Sequence, residues 1–544
     1  MPEQLCVHAV GARIGIDLEG VDDDVAQAVR RAWADAVCGG TEPVDATVKP
    51  MPGELSRVLE SLSQQVTLAA IEARRGQVWM LHAAGVAGET GEVVVLVGPS
   101  GRGKTTASRA LGRVFGYVSD ETIAIEQSGA VHAYRKPLSV IEEPTRPKVQ
   151  IPPSEAGLKP LPDAPLRVRA IVLLDRDPAH EGVPTLEPVD LGEALEELVA
   201  QSSFLVHADA PLRFMAAVAE ATGGVRRLAY AEAADLPPIV ERMLAAGQEP
   251  VRIATTTPSP RGATVVQAAE APPVAGSADA ATAAGSPDAA RVGSADAALA
   301  AGSGDAAPVA EGTGAAQAAG SADAAPVASA DAALAAGSAD AAQVGAAADA
   351  APVAGSAGAA PTPPRFSRAP WADDIDLDDP DRVSILTVDE RGRGVVHVIA
   401  GVAPALWRAA EAATIDELVD VAVAVYGAPE AQHPRPSVLM VVAALMDAGL
   451  LVSDEPRVRR REDVAWVDRE DRVYALALGD LASQPRLLAD TAAVIWDWLE
   501  EPTTLTQLAA RATAESGVID PQVAVDVEAY VAELIATQLV ERLA

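Results

Sequence analysis

The pattern of apolar and polar positions predicts two amphipathic helices near the N-terminal end. In "PGELSRVLESLSQQVTLAAIEARRG", apolar residues recur at helical spacing until the pattern stops at Gly76. These residues are Leu55, Val58, Leu59, Leu62 and Val66. In "DDDVAQAVRRAWADAV", acidic residues occupy the first predicted turn, where the helix dipole favours negative charge. Both segments are therefore expected to pack one face against a core.

Further along, a strand, a glycine-rich loop and a helix are predicted in succession. The apolar run "VVVLV" predicts a buried strand, "GPSGRGKT" fits the phosphate-loop pattern G-x-x-x-x-G-K-[ST], and "TTASRALGRVF" predicts a helix closed by Gly116. In this arrangement, backbone N–H groups cradle phosphates, Lys104 reaches the β- and γ-phosphates, and Thr105 can ligate Mg²⁺. A glycine turn that binds no nucleotide is the alternative. The residues predicted to bind ATP are Gly98, Pro99, Ser100, Gly101, Arg102, Gly103, Lys104, Thr105 and Thr106.

Two acidic residues follow in "YVSDETIAI", which predicts a second strand containing Asp120 and Glu121. In a strand, helix, strand crossover, the carboxyl ends of both strands lie at one edge of the sheet. Asp120 is therefore expected beside the phosphates, although a solvated carboxylate pair at a turn would have the same sequence. A third apolar strand, "LRVRAIVLLDRD", ends at Asp175, which is either another acid near the phosphates or an ordinary strand end.

A hairpin is predicted upstream, in "WMLHAAGVAGETGEVVVLVG", with its turn at residues 88–91. This register pairs His82 with Val97, just before the glycine-rich loop. An imidazole would then lie near the same edge as the predicted phosphates, where it could take part in catalysis. The alternative is a histidine with a purely structural role.

Composition changes sharply near residue 255. From there to residue 368 the chain is almost wholly Ala, Gly, Ser, Asp, Pro and Val, and an imperfect unit "GSADAA" recurs. Without bulky apolar residues, such repeats cannot bury enough surface to offset the entropy of ordering. We expect a disordered linker at 255–368 rather than a binding segment, between a domain at 1–254 and two modules at 369–456 and 457–544.

The two C-terminal modules are predicted from an internal duplication. Copy one contains "VSILTVDERGRGVVHVI" and copy two contains "AWVDREDRVYALAL", each interpreted as a β-hairpin, and three helices are predicted after each. From Trp407 to Leu450 is 43 positions, and the same 43 positions separate Trp496 from Leu539. Copy two has Gln538 where copy one has glycine, and "GDLASQPRLL" is interpreted as an insertion. Each copy is predicted to be a small α+β winged-helix-like module.

Charge and composition narrow the functional classes. The formal net charge of −35, from 77 acidic and 42 basic residues, disfavours a nucleic-acid surface. The only cysteines are Cys6 and Cys38, which predicts no disulfide framework and fits a reducing cytoplasm. We find no signal peptide and no apolar run long enough to span a membrane, so a cytoplasmic protein without a membrane partner is expected.

The motifs "LHAAGV", "VLVGPSGRGKTT" and "VSDE" resemble the HPr kinase/phosphorylase family and its shorter relatives encoded near peptide-modification genes. The resemblance covers residues 1–250 and is specific between His82 and Glu121. It implies an α/β kinase fold in which Asp120 is the general base and His82 pairs with it. Glu121 replaces the family's usual second Asp, and a carboxylate for metal is thereby kept. Because the family's glycine-rich segment that serves HPr has no counterpart, HPr is not the expected substrate.

Both C-terminal copies resemble the PqqD family, the peptide-recognition modules of ribosomally made, modified peptides. The matching features are the hairpin, the Trp, the "T-x-x-x-L" helix start and the last helix. The resemblance implies that a leader peptide binds as an added strand at the hairpin edge. A DNA-binding winged helix is the alternative, disfavoured because no basic recognition helix is present.

Together these features predict transfer of the γ-phosphate of ATP to a Ser or Thr hydroxyl of a precursor peptide. The first alternative is a catalytically degenerate nucleotide-binding chaperone or scaffold for peptide modification. A transporter ATPase ranks last because no LSGGQ-type signature is found. Whether the protein forms a homo-oligomer is left open by the sequence.

Overall fold

The computed structural model describes residues 3–40, 42–99, 101–140, 149–245, 362–377, 381–428, 433–469, 472–479 and 483–543. These residues have mixed α/β structure and form two compact units. The first unit contains the described residues up to Ala245 together with Ala372–Ile375 and Ile385–His397, and the second contains the other described residues. None of the helices in the described ranges combines the length and the apolar character needed to cross a lipid bilayer.

The helices of the first unit form where the apolar periodicity predicts them. Asp22 accepts a hydrogen bond from the Asp24 N–H at 2.9 Å and so caps the first helix. The second helix buries Val58, Leu62 and Val66 along one face. The helices are α1 (Asp23–Ala32), α2 (Leu55–Ala73), α3 (Lys104–Gly112), α4 (Leu191–Ala200), α5 (Pro211–Ala221) and α6 (Pro237–Ala245).

Fifteen strands are described in the N-terminal part of this unit. They are β1 (Gln4–Ala9), β2 (Ala12–Asp17), β3 (Ala46–Val48), β4 (Trp79–Leu81), β5 (Ala83–Ala87), β6 (Glu92–Val97), β7 (Gly116–Ser119), β8 (Ile123–Ile125), β9 (Val131–His132), β10 (Leu138–Val140), β11 (Val149–Ile151), β12 (Arg167–Arg176), β13 (Thr185–Pro188), β14 (Ser202–Ser203) and β15 (Arg226–Tyr230). The two largest sheets have the orders β13-β15-β12-β6-β5-β7 and β14-β4-β8-β9.

The six-stranded sheet supports the glycine-rich loop. Strands β6, β12 and β15 are parallel, whereas β5 runs antiparallel to both β6 and β7. Val94 and Leu96 of β6 are fully buried and share a core with Leu111 of α3 and Val240 of α6. Burying aliphatic side chains of this size stabilises a fold by about 1.5–3 kcal/mol each. The loop that follows β6 is therefore attached to a rigid core.

The two cysteines, which predict no disulfide framework, are joined in one disulfide. Cys6 lies on β1, and the N–H of Cys38 donates to the Cys6 carbonyl at 2.9 Å. The Cα atoms are 5.3 Å apart, within the range that a disulfide can bridge. The sequence could not show this pairing because the two residues meet only when the segment after α1 packs beside β1.

The second unit contains most of the duplicated region. Its helices, numbered onward along the chain, are α7 (Ala403–Ala409), α8 (Ile415–Tyr426), α9 (Pro434–Asp447), α10 (Thr491–Trp498), α11 (Leu505–Ser516) and α12 (Pro521–Ala536). The strands from residue 362 onward, some of which belong to the first unit, are β16 (Arg365–Arg368), β17 (Asp373–Asp376), β18 (Arg382–Val388), β19 (Gly394–Ala400), β20 (Glu411–Thr414), β21 (Leu451–Ser453), β22 (Arg457–Arg460), β23 (Val464–Arg469), β24 (Arg472–Ala477), β25 (Arg486–Ala489) and β26 (Val540–Leu543).

The same order of elements occurs twice in the described residues, and it aligns the two copies differently from the prediction. Each repeat begins with a short strand, continues with a three-stranded sheet and three helices, and ends with a strand that pairs with the first. The three-stranded sheets are β17-β18-β19 and β23-β24-β25. The predicted hairpin of copy one is thus strands two and three, whereas that of copy two is strands one and two. The segment "GDLASQPRLL" is not an insertion, because it contains most of β25.

Positive φ angles at corresponding positions support the same alignment. Gly449 and Gln538 both have positive φ, at 70° and 58°, and each follows the last helix of its repeat. Gly401 and Asp490 form a second such pair, at 62° and 53°, before the first helix. A left-handed conformation costs roughly 1 kcal/mol for a residue other than glycine. The second repeat thus keeps the turn of the first although it has lost the glycine.

A stacked arginine lies in the same place in each repeat. In the first, the Arg368 guanidinium lies 4.6 Å from the Trp371 ring centroid and 5.4 Å from that of Trp407. In the second, Arg460 lies 5.1 Å from Trp466 and 4.7 Å from Trp496. In each repeat the arginine thus lies between one buried tryptophan, Trp407 or Trp496, and one that is less buried, and cation–π attraction stabilises both contacts. Arg368 and Arg460 are the last residues of the first strands of their repeats.

The position of β16 also corrects one boundary of the predicted linker. Residues 255–361 of that segment lie outside the described residues. The remaining part contains β16, whose Phe366 is fully buried and which pairs with both β20 and β21. The first repeat therefore starts before residue 369, because β16 pairs with two strands of that repeat and buries Phe366.

Candidate functional site

The topology of the six-stranded sheet brings three of the predicted segments to one edge. Strands β6 and β7 run in the same direction, since both are antiparallel to β5. Gly98 follows the end of β6, Asp120 follows the end of β7, and His82 precedes the start of β5. The sheet therefore places the glycine-rich loop, the acidic pair and the histidine at the same edge.

His82 and Asp120 lie at a joint where the chain passes between two sheets. The segments around them were each predicted as one strand, but His82 separates β4 from β5, and residues 120–122 separate β7 from β8. Strand β4 pairs with β8 in one sheet while β5 pairs with β7 in the other. His82 and residues 120–122 therefore lie opposite each other between the two sheets. Polar side chains can occupy these positions without interrupting the hydrogen bonds between strands.

The predicted register of the β5–β6 hairpin is wrong by one residue. Ala83, not His82, is opposite Val97. The turn is held by bonds from the Gly88 N–H to the Glu92 carbonyl and from the Gly91 N–H to the Gly88 carbonyl, at 2.9 and 3.2 Å. His82 lies beyond the ladder, and its own N–H donates to the Gln201 carbonyl at 2.7 Å. The joint, not the hairpin, therefore positions the imidazole.

The glycine-rich loop (Gly98–Thr106) leads directly into α3. Gly101 and Gly103 have positive φ values of 85° and 84°, a conformation that glycine adopts without steric cost. A Cβ on Gly103 would lie 3.0 Å from the Tyr230 hydroxyl oxygen, whereas a Cβ on Gly101 would meet no atom within 4 Å. Ser100 lies outside the described residues. Helix α3 ends at Gly112 rather than at Gly116, which instead opens β7.

The first turn of α3 presents main-chain donors and a buried cation. The earliest helical bond is donated by the Ala107 N–H to the Gly103 carbonyl at 2.8 Å, so the amides of residues 104–106 have no helical acceptor. Lys104 is 7% exposed, and its Nζ donates to the Gly98 carbonyl oxygen. Burial lowers the pKa of Lys104 to about 8. These groups form a site suited to an anion.

Arg102 and Asp175 form an ion pair beside this loop. The Arg102 Nη1 lies 3.1 Å from Asp175 Oδ1, and both side chains are about half exposed, at 53% and 40%. Asp175 is the last residue but one of β12, which is parallel to β6, and this explains why it reaches the same edge. Its carboxylate orients Arg102 in the described structure.

Glu121 is paired with a lysine, Lys136, that the sequence analysis does not predict. Lys136 Nζ forms an ion pair with Glu121 Oε2. Burial disfavours the charged lysine, but the charges of Glu121 and Asp120 outweigh it and raise the pKa of Lys136. Asp120 Oδ1 is buried and has no hydrogen-bond partner among the described residues. A buried carboxylate oxygen without a donor is costly, so a donor is expected to reach it when the site is occupied.

Two buried tyrosines adjoin the same carboxylates. Burial and then the charge of Asp120 raise the pKa of Tyr117 well above its usual value. Burial and then Glu121 do the same for Tyr134, whose hydroxyl lies 2.7 Å from the Thr67 hydroxyl. Both phenols therefore stay protonated at neutral pH and add no charge to the site.

His82 is neutral at physiological pH. Burial and then the charges of Lys104 and Lys136 lower its pKa to about 4, a value that includes a partly offsetting hydrogen bond with the Glu121 main chain. The ring Nδ1 is buried without a hydrogen-bond partner in the described part of the chain. His82 thus adjoins the site, although the described contacts place it beside Glu121 and the two lysines rather than in an ion pair with Asp120.

The predicted metal ligands, Thr105 and Glu121, belong to the same edge. No group of three or more His, Cys, Asp or Glu side chains arranged to hold a metal occurs within the described ranges. Glu121 is also engaged by Lys136. A cation held here would therefore need oxygen ligands from a bound anion in addition to the protein.

Lys136 is the main site residue that the sequence did not reveal. It lies in "YRKPLSV", a segment without helical or strand periodicity. The Tyr134 N–H donates to the Val118 carbonyl at 3.0 Å and holds this segment beside β7. The neighbouring Arg135 guanidinium donates to the Tyr117 carbonyl at 2.6 Å. A pair of basic residues in an otherwise apolar segment was the one available signal.

Comparison with known proteins bears on the second repeat. Residues 486–540 match the family Coenzyme PQQ synthesis protein D (PqqD). The match extends from β25 through α10, α11 and α12 to the first residue of β26. It supports a peptide-recognition module, a peptide partner and a role in peptide modification. A search of curated proteins found no match to the chain.

The two glycines with positive φ provide a test of the loop. Gly103→Ala should destabilise the first unit more than Gly101→Ala, because both alanines are strained but only the first meets the Tyr230 hydroxyl. We expect about 1 kcal/mol for Gly101→Ala and at least about 2 kcal/mol for Gly103→Ala. Urea denaturation of the full chain measures both values. Equal losses would contradict the described loop.

The lowered pKa of His82 predicts acid sensitivity. Because the unfolded chain binds a proton near pH 6.5 and the folded chain only near pH 4, stability should fall as the pH drops through this window. Between pH 7 and about pH 4.5 the wild type should lose about 2 kcal/mol more than His82→Gln. The exposed His207 supplies a matched control, His207→Gln, which should retain the wild-type dependence. An identical pH dependence in His82→Gln would show that the ring is not buried as described.

Proposed function

We propose that this protein is an ATP-dependent kinase that phosphorylates a Ser or Thr hydroxyl of a ribosomally made precursor peptide. The observation that carries the proposal is the convergence, at one sheet edge, of a buried lysine in a glycine-rich loop and a carboxylate, Asp120, whose Oδ1 is buried without a hydrogen-bond partner among the described residues. Lys104 supplies positive charge for a triphosphate, and Asp120 supplies an acceptor for a proton. The two groups are what phosphoryl transfer to an alcohol requires.

The residues present fit a bound triphosphate. Loop amides from residues 101–106 and the Lys104 ammonium would bind phosphate oxygens, and the absence of a Cβ at Gly103 leaves room beside Tyr230. Mg²⁺, when bound, would neutralise charge on the β- and γ-phosphates, and Thr105 and Glu121 are the side chains that would hold it. Arg102, oriented by Asp175, adds a further cation at the rim of the loop.

In the proposed reaction, the protein positions the reactants and accepts one proton. The substrate hydroxyl oxygen attacks the γ-phosphorus, the bond to the bridging oxygen of ADP breaks, and Asp120 aligns the hydroxyl and accepts its proton. Because the transition state is loose, positioning and charge supply most of the rate, and an ordinary carboxylate suffices as the base. His82 remains neutral, so it can orient a neighbouring group without repelling the two lysines.

Peptide capture is assigned to the C-terminal repeats. Sheet β23-β24-β25 leaves its outer strands paired on one side only among the described residues. An edge of this kind can bind an extended leader peptide as an added strand, with main-chain hydrogen bonds giving affinity. Holding the leader on the same chain as the kinase raises the local concentration of the hydroxyl to be modified.

A second candidate function is a nucleotide-binding chaperone or scaffold without kinase activity. It is favoured by the ion pair between Lys136 and Glu121, because this pair occupies the carboxylate that would otherwise hold metal. In this alternative the nucleotide would control peptide binding, and no phosphate would be transferred.

Labelled ATP distinguishes the two candidates. The full chain is incubated with γ-labelled ATP, Mg²⁺ and the precursor peptide encoded beside its gene. We expect phosphopeptide with wild type and at least about 100-fold less with Asp120→Asn, since a positioned base contributes about that much. Glu126→Gln, which changes a carboxylate paired with His132 away from the site, is the matched control and should retain activity.

Two results would count against the kinase. Release of ADP without phosphopeptide in the wild type would favour the chaperone. Equal phosphopeptide from wild type and Asp120→Asn would exclude Asp120 as the base.

A further inference from the structure

The three-stranded sheets of the two repeats differ in how many faces they bury. In the first repeat, four consecutive residues of β18, 383–386, are all buried. Successive side chains of a strand point to opposite faces, so both faces of β18 are covered. In the second repeat, buried residues alternate along β24 as Val473, Ala475 and Ala477, while Tyr474 is 43% exposed. Only one face of that sheet is covered.

Part of the first repeat's sheet belongs to the first unit. Ala372–Ile375 and Ile385–His397, which make up most of β17 and parts of β18 and β19, cluster with the N-terminal elements. A Cβ on Gly394 would lie 3.3 Å from Val199 Cγ1 and 3.5 Å from Val206 Cγ1. Glycine at 394 thus permits close packing of β19 against the end of α4 and the short helical turn that follows it.

Asp373 supplies a helix cap that α5 does not have. The residue before α5 is Ala210, which has no capping side chain. Asp373 Oδ2 instead accepts hydrogen bonds from the N–H groups of Leu212 and Arg213, at 2.9 and 3.2 Å. These amides would otherwise have no acceptor, and a carboxylate also interacts favourably with the positive end of the helix dipole. Asp373 is only 5% exposed, so water is a poor substitute.

Arg213 completes the contact. Its Nη2 donates to the Asp374 carbonyl at 3.0 Å, and its Nη1 lies 3.6 Å from Asp373 Oδ1. The buried carboxylate is therefore compensated by two amides and a guanidinium. A buried charge without such partners would be strongly destabilising, which makes this arrangement specific for the acid at position 373.

The second repeat has no such cover on its outer face in the described structure. Val467, Tyr474 and Leu487 are cross-strand neighbours on β23, β24 and β25 and are 55%, 43% and 52% exposed. They form an apolar row across the sheet. An exposed row of this kind, next to strand edges that pair on one side only, is typical of a surface that receives an extended peptide.

We propose that the two repeats have different roles: the first repeat's sheet is an internal anchor that caps and covers α4 and α5, and the second repeat's sheet is the peptide-binding surface. The part that concerns the peptide rests on the proposed function. The part that concerns the anchor rests only on the contacts of Asp373, Arg213 and Gly394. One chain thereby uses the same module once as a structural element and once for recognition.

Hydrogen exchange of the full chain tests the anchor. Asp373→Ala should increase exchange of the amides at the start of α5 and of residues 385–397 by about tenfold, because two amides lose their acceptor. Asp373→Asn, which keeps an acceptor oxygen, should have a smaller effect. Asp468→Ala, which removes an exposed carboxylate from β23, is the matched control. Unchanged exchange in Asp373→Ala would overturn the anchor.

Peptide binding tests the division of roles. With the labelled precursor peptide encoded beside the gene, Tyr474→Arg should weaken binding by at least about tenfold, as expected for loss of one anchoring aromatic contact. Asp373→Asn should leave the affinity within about twofold. Loss of binding in Asp373→Asn with normal binding in Tyr474→Arg would overturn the assignment. If the wild type does not bind the peptide, the peptide part fails together with the proposed function, while the exchange experiment still decides the anchor.

Discussion

The site depends on one constraint: at the joint, two neighbouring segments of the chain both pass from one sheet to the other. Strands β4 and β8 pair on one side of the joint and β5 and β7 on the other, so His82 and residues 120–122 are held opposite each other. Main-chain hydrogen bonds of the two sheets fix the backbone on both sides of these residues. Polar side chains can then be buried at the joint while every strand beside it keeps its main-chain hydrogen bonds. The glycine-rich loop reaches this joint because β6 ends at the same edge.

Burial gives these side chains their properties. Lys104 and Lys136 are both withdrawn from water, but only Lys136 has a carboxylate partner, and the pKa shifts of the two lysines have opposite signs for this reason. His82 stays neutral because burial lowers its pKa, and the charges of both lysines add to this effect. The described site therefore has one ion pair, Lys136 and Glu121, and two groups, Lys104 and Asp120, that form no ion pair among the described residues. A triphosphate and an alcohol would complete those two groups.

The sequence predicted the local elements of the site better than its contacts. The glycine-rich loop carries its own signal, because Gly101 and Gly103 must adopt positive φ and the strand before them is continuously apolar. The predicted hairpin register was wrong by one residue. Hydrophobic periodicity does not fix the position of the turn to better than one residue, and the register depends on that position. Lys136 and Asp373 were missed for a different reason. Each acts through a partner on a different element, and neither lies in a periodic segment. The duplication was found from tryptophan spacing, yet β16, β17 and β25 are too short to have shown the true alignment.

The most direct test is a calorimetric titration of the full chain with MgATP near pH 8.5, in two buffers of different ionisation enthalpy. Since burial lowers the pKa of free Lys104 to about 8, phosphate oxygens beside it should restore its proton. We predict binding coupled to the uptake of about half a proton or more, with both the uptake and most of the affinity lost in Lys104→Met. No binding of MgATP, or tight binding without proton uptake, would contradict the central claim that Lys104 holds the triphosphate.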